Sequence, residues 1–199
     1  MSGDWLIPFA AFRDGVQDAA NGVHIGPRHG SMLTLLYAPK GQDPQTPHRV
    51  SGTAIFLTAD LDVAPVALMH NLKHNKVLHE KNVILFVATA EQPRVREEDR
   101  IKIDPVSADF TKLTITYGFM ESPNLPKALA LCRKQGLKFD IMATSFFLGR
   151  RSVVPAVQSG MPLWQDRLFI FLMKNATNPT DFFNIPPGRV VELGAQVTV

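Results

Sequence analysis

A chain of 199 residues, 45% apolar, 20% charged and 9% aromatic, has the size of one ordinary domain with room for an extension, and this composition excludes collagen-like, mostly disordered and disulfide-stapled classes. The 21 Lys and Arg against 18 Asp and Glu leave +3, with the bases scattered among acids, which is no electrostatic footprint for nucleic acid. The longest strictly apolar runs, such as Val83 to Ala88 and Leu168 to Met173, are six residues, far short of the ~20 that a membrane helix needs.

The first part of the chain has a character of its own. Residues 1–48 are rich in Gly and Pro, show no sustained period, and end in Gly41-Gln42-Asp43-Pro44-Gln45-Thr46-Pro47, a linker by composition. The expectation is a poorly ordered arm; the alternative is an extra strand or short helix packed on the domain. No basic region followed by an apolar core marks a signal peptide. The single cysteine, Cys132, cannot form an internal disulfide and fits a reducing compartment.

From Arg49 the pattern tightens. Thr53-Ala54-Ile55-Phe56-Leu57-Thr58 predicts a buried strand. Asp62 is placed to cap, and Pro65 to start, a helix through Val66, Leu68, Met69 and Leu72 toward Val77. Asn82 to Thr89 is apolar on both faces and predicts a central strand parallel to the first. After the charged segment Arg94 to Arg100, the alternation in Arg100–Asp104 and Lys112–Tyr117 predicts an antiparallel pair. Asn124-Leu125-Pro126 opens a second helix across Ala128 to Gln135, stopped at Gly136. Phe139 to Leu148 reads as a strand, Pro162 to Leu172 as a third helix, and the tail from Arg189 as a closing strand. The fold class is therefore α/β: a mixed sheet with a parallel β-α-β core, an antiparallel hairpin and about three helices.

Few motifs carry chemistry. His70 and His74 share one helix face at the spacing of a zinc pair, but Asn71 stands where a catalytic glutamate would be, and His79 and Glu80 fall on another face or past the helix end. No metal site is expected; polar contacts or a partner interface fit better. Cys132, between Leu131 and Arg133, reads as a small core residue and not a nucleophile. No glycine-rich phosphate loop is present. Arg150 and Arg151, beside a strand end, have the donor forks that hold an anion, a solvated loop being the blander reading. No nucleophile, base and acid set suggests an enzyme.

The run His70-Asn71-Leu72-Lys73-His74-Asn75-Lys76-Val77-Leu78-His79-Glu80 resembles the signature of the C-terminal cytosolic domain of the KUP/HAK/KT potassium uptake transporters. The likeness continues in family order through Gly52–Leu57, Tyr117–Glu121, Thr144–Arg150, Asp181-Phe182-Phe183, Ile185-Pro186-Pro187 and Arg189–Gly194, covering residues 49–199. Ser51, Gly188 and Ala195 are local departures. Residues 1–48 resemble neither the membrane spans nor the linker that precede this domain in the family. That implies either a soluble remnant or a truncated or frame-shifted gene, the mixed composition favouring the latter.

The resemblance implies association with K⁺ uptake, usually with H⁺, but carries over no ion-pathway residue, no catalytic residue and no cofactor. It implies a cytoplasmic regulatory and assembly module at the inner face of the plasma membrane. Such a module would pack on the transporter's membrane portion, or on itself as a homodimer, through a contact helix bearing His70, Asn71, Lys73, His74, Asn75 and Lys76. A second reading is a nucleotide or anion sensor using Arg150, Arg151 and Lys73. A third is an unrelated α/β enzyme.

Overall fold

The computed structural model describes residues 47–137, 140–154 and 178–198, with positions 164, 165, 168, 171 and 172. Residues 1–46 of the N-terminal arm lie outside the described residues. So does the predicted third helix apart from those five positions, which are helical and of which Trp164, Leu168, Phe171 and Leu172 are exposed.

Strand β1 (His48–Thr58) is an interior strand of the sheet. Ala54, Ile55 and Phe56 are fully buried on alternating faces, because β1 runs parallel between β2 (Val77–Ala90) and β5 (Thr144–Val154). A bulge interrupts its register: Val50 pairs with His79 but Thr53 with Lys81. Gly52 absorbs the extra residue at φ +100°, and the Ala143 carbonyl oxygen lies 3.1 Å from where its Cβ would be.

Beyond Thr58 the chain returns through α1 (Val66–His70), a π-helical turn (Asn71–Asn75) and into β2. Pro65 holds the N-cap with no side-chain hydrogen bond. Asp62, expected to cap, instead lies 3.7 Å from Lys112 Nζ. β3 (Ile101–Pro105) and β4 (Phe110–Gly118) form the antiparallel pair that their alternation predicts. β4 runs parallel to β2, and β6 (Val190–Thr198) parallel to β5. The six strands lie in the order β3-β4-β2-β1-β5-β6.

Each face of the sheet has its own core. Ala54, Phe56, Leu78, Ile84 and Phe147 pack with Ala67, Leu68 and Leu72 of the α1 segment. The neighbouring rings of Phe56 and Phe147 stack with centroids 4.7 Å apart. Ile55, Val83, Leu85, Ile115 and Phe146 pack with Leu125, Leu129 and Cys132 of α2 (Leu125–Cys132) on the other face. α2 starts as its sequence demands: the Asn124 side chain accepts from the Lys127 N–H at 3.0 Å, Pro126 sits in the first turn, and Gly136 ends the segment at φ +92°.

The sequence reading began β1 and β2 too late, at Thr53 and Asn82 where the strands start at His48 and Val77, and it misplaced both ends of β5. β5 begins at Thr144 and not near Phe139, because Asp140 organises a 3₁₀ turn (Ile141–Ala143). Its carboxylate accepts from Met142 N–H at 3.0 Å and its carbonyl from Thr144 Oγ1 at 2.6 Å. β5 also runs on through Gly149, Arg150 and Arg151, which pair with Leu193, Gly194 and Ala195. The two arginines therefore belong to a strand and not to a loop. α3 (Pro179–Phe182) and a 3₁₀ turn (Pro187–Arg189) deliver the chain to β6.

Candidate functional site

The predicted contact residues come together on one turn at the amino end of the sheet. Asn71 locks that turn: its Nδ2 donates to the Val77 carbonyl at 3.0 Å, and its Oδ1 accepts from Asn75 Nδ2 at 2.8 Å. Lys76 closes the turn in the left-handed region at φ 55°, and its carbonyl accepts the His48 N–H at 2.8 Å. Asn71 is 3% exposed, so it serves the turn from its inner side. The helical spacing alone could not reveal this, because the inward role depends on the π turn.

What faces solvent is cationic. Lys73, His74, Asn75 and Lys76 are exposed and His70 is half-buried. The His70 and His74 rings lie 5.7 Å apart. Burial lowers the His70 pKa from its ordinary value, and the charges of His74 and then Lys73 lower it further. The stretch Val66–Asn75 contains no Asp or Glu.

The second predicted set does not form one site. Arg150 is exposed, and its Nη1 lies 3.1 Å from Glu192 Oε2; the other Glu192 oxygen accepts from Thr180 Oγ1 at 3.0 Å. Arg151 is placed by its strand pairing with Ala195. Lys73 lies near the start of β1, whereas Arg150 lies past the Phe56–Phe147 pair toward the strands' carboxyl ends. Strand rise puts the two ends of β1 on the order of 30 Å apart.

Two hollows were not foreseen. One of about 200 Å³ opens at the carboxyl ends of β2 and β4 between Val87, Tyr117, Glu121, Phe182 and Phe183. Another of about 350 Å³ is lined by Thr53, Glu80, Lys81, Arg133 and Asp140, two acids facing two bases. The first is floored by a structural network: Arg100 Nη2 meets Glu121 Oε1 at 2.6 Å, and Tyr117 Oη donates to the Asn124 carbonyl at 2.8 Å. Mixed charge in Arg94–Arg100 was the only sequence signal for it.

Among the described residues, no group of three or more His, Cys, Asp or Glu is arranged to hold a metal ion, and no helix is long and apolar enough to cross a membrane. Burial pushes the Cys132 thiol up to about 11.

A family model described as K⁺ potassium transporter C-terminal domain matches residues 51–199. Among curated proteins, the chain is 78% identical over 155 residues to the "Probable potassium transport system protein Kup" of Caulobacter vibrioides, covering 78% of this chain and 23% of that protein. It is 61% identical over 153 residues to "Probable potassium transport system protein Kup 1" of Mesorhizobium japonicum, covering 77% and 24%. It is 53% identical over 182 residues to "Probable potassium transport system protein Kup 2" of a Bradyrhizobium species, covering 86% and 29%. The chain thus spans about a quarter of the length of the curated relatives it matches. No solved structure matches it.

Proposed function

The chain belongs to the K⁺ potassium transporter C-terminal domain family, and from that premise we propose that it acts as the regulatory and assembly domain of a Kup-type K⁺ uptake system. In this reading the ion, taken up with H⁺, passes through a separate membrane portion. The present fold docks on the cytoplasmic face of that portion and biases its transport cycle. It is a transport-associated module and not an enzyme.

The observation that carries the reading is the match over residues 51–199. The exposed cationic turn bearing Lys73, His74 and Lys76 supplies a docking face, held rigid by Asn71. The alternative of a nucleotide sensor is less well supported, because Arg150 pairs with Glu192 and lies at the opposite end of the sheet from Lys73.

The test is co-expression with the membrane portion of the Caulobacter vibrioides relative lacking its own C-terminal domain, in cells that depend on it for K⁺. The expected result is co-purification and altered K⁺ uptake, both reduced by Lys73→Glu with His74→Glu. Failure to co-purify, with uptake unchanged, would overturn the reading.

A further inference from the structure

The two edges of the sheet are protected very differently. β3 is five residues long, carries Lys102 and Asp104 in an ion pair at 3.1 Å, and ends at Pro105, the usual devices that stop an edge from recruiting another strand. β6 is nine residues long, has no proline, and has one charge, Glu192, whose carboxylate is occupied by Arg150 and Thr180. It pairs with β5 along its whole length, and among the described residues no strand pairs with its outer side.

The sequence of β6 is nearly symmetric about Gly194. Counting outward, Leu193 matches Ala195, Glu192 matches Gln196, Val191 matches Val197, and Val190 matches Thr198. Among the described residues nothing explains the glycine itself: Gly194 is exposed, and a Cβ there would meet nothing within 4 Å. A glycine inside a strand weakens it, and such a residue often marks the close approach of another backbone.

We propose that β6 pairs antiparallel with β6 of a second copy of this chain, about a two-fold axis at Gly194, joining two sheets into one of twelve strands. An open edge is complementary in its backbone to an extended strand. The symmetry of β6 selects a copy of itself over any other strand, because a two-fold contact requires the same surface to be complementary to itself. In that register Val191 lies opposite Val197, and Glu192 lies opposite an amide and not a second carboxylate, the favourable choices for cross-strand pairs. This surface is separate from the cationic turn, and the inference does not rest on the docking reading.

The test uses the full chain. Light scattering should give twice the mass of one chain, and Gly194→Pro should halve it. Under mild oxidant, Gly194→Cys should give a disulfide-linked dimer, since directly opposed residues lie ~4.5–5.5 Å apart at Cα, within disulfide reach. Val191→Cys alone should not cross-link, its two copies being about 20 Å apart along the strands, whereas Val191→Cys with Val197→Cys should. Cys132 is buried, so it does not compete, and circular dichroism matching the parent shows that each variant folds. Gln196→Glu, which sets like charges opposite, should weaken the dimer, and Gln196→Lys should not.

A monomer at high concentration, or equal cross-linking at positions 191 and 194, would overturn the proposal. A monomer whose outward-pointing β6 amides, those not bonded to β5, resist hydrogen exchange would assign the edge to another segment of the same chain, and a monomer in which they exchange would leave it open; both refute a second copy.

Discussion

Arg100 and Glu121 meet at 2.6 Å and tie the start of β3 to the loop after β4. Arg100 Nη2 also donates to the Val95 carbonyl at 2.7 Å, and its guanidinium lies 4.9 Å from the centre of the Tyr117 ring. Glu121 accepts from the N–H groups of Gly118 and Val95. Both partners are thus held by backbone groups as well as by each other, and the pair acts as the clasp of this corner.

Removing the carboxylate should open that clasp. The Arg100 hydrogen bond, then the Gly118 N–H, hold the Glu121 carboxyl at about 2 instead of 4.5. A depressed carboxylate stabilises the fold above its unfolded value, and that contribution is lost as pH falls from about 4.5 through about 2. Glu121→Gln should cost about 3 kcal/mol at neutral pH, because it leaves a largely buried guanidinium without its counter-charge. It should also flatten the acid dependence in that window, both effects being read by denaturant titration.

The cationic turn should announce itself in an NMR titration of the imidazoles. His70 is expected to titrate below 6.5, chiefly through burial. His74→Ala should raise its midpoint more than Lys73→Ala, in the order of their charge effects, and neither should restore 6.5. A histidine with a lowered folded value costs stability as pH falls below its unfolded value, since the unfolded chain binds the proton more readily. His79, lowered by burial alone, adds to the same loss.

Gly118 cannot be replaced cheaply. A Cβ there would run into the backbone of Pro93 and Arg94, whose segment accepts the Met120 N–H at Pro93. Gly118→Ala should cost about 3 kcal/mol by overpacking. Gly149→Ala, where a Cβ meets nothing within 4 Å, should stay within about 1 kcal/mol of the parent. Thermal melts of the two variants give the comparison.

Cys132 should ignore thiol reagents in the folded chain. It is buried, its Sγ contacts the Ala128 carbonyl at 3.5 Å, and its thiol is pushed up to about 11. At pH 8 an aromatic disulfide reagent should label it only as fast as the chain unfolds, and denaturant should release one thiol per chain.

The sequence exposed the parts of this fold that depend on local pattern. Apolar runs marked β1 and β2, alternation marked β3 and β4, and Asn124, Pro126 and Gly136 bounded α2. It concealed whatever depends on distant partners. Gly149 looks like a terminator, yet β6 supplies a ladder that carries β5 past it to Val154. Asp140 interrupts the apolar run before Thr144 through a turn whose hydrogen bonds no periodicity encodes. At the candidate site the His70–His74 spacing was legible, whereas the inward turn of Asn71 required the π-helical geometry and the Val77 carbonyl to be in place.

The position of β1 bears on how the protein is made. This first strand of the domain waits for both neighbours: Thr53 pairs with Lys81 on one side and with Thr144 on the other. At ribosomal speed the second neighbour emerges about 5–20 s after the first strand. During that interval a nascent chain carries uncovered one flank of a strand whose Ala54, Ile55 and Phe56 end fully buried, which makes this protein a natural client for a chaperone at the exit tunnel.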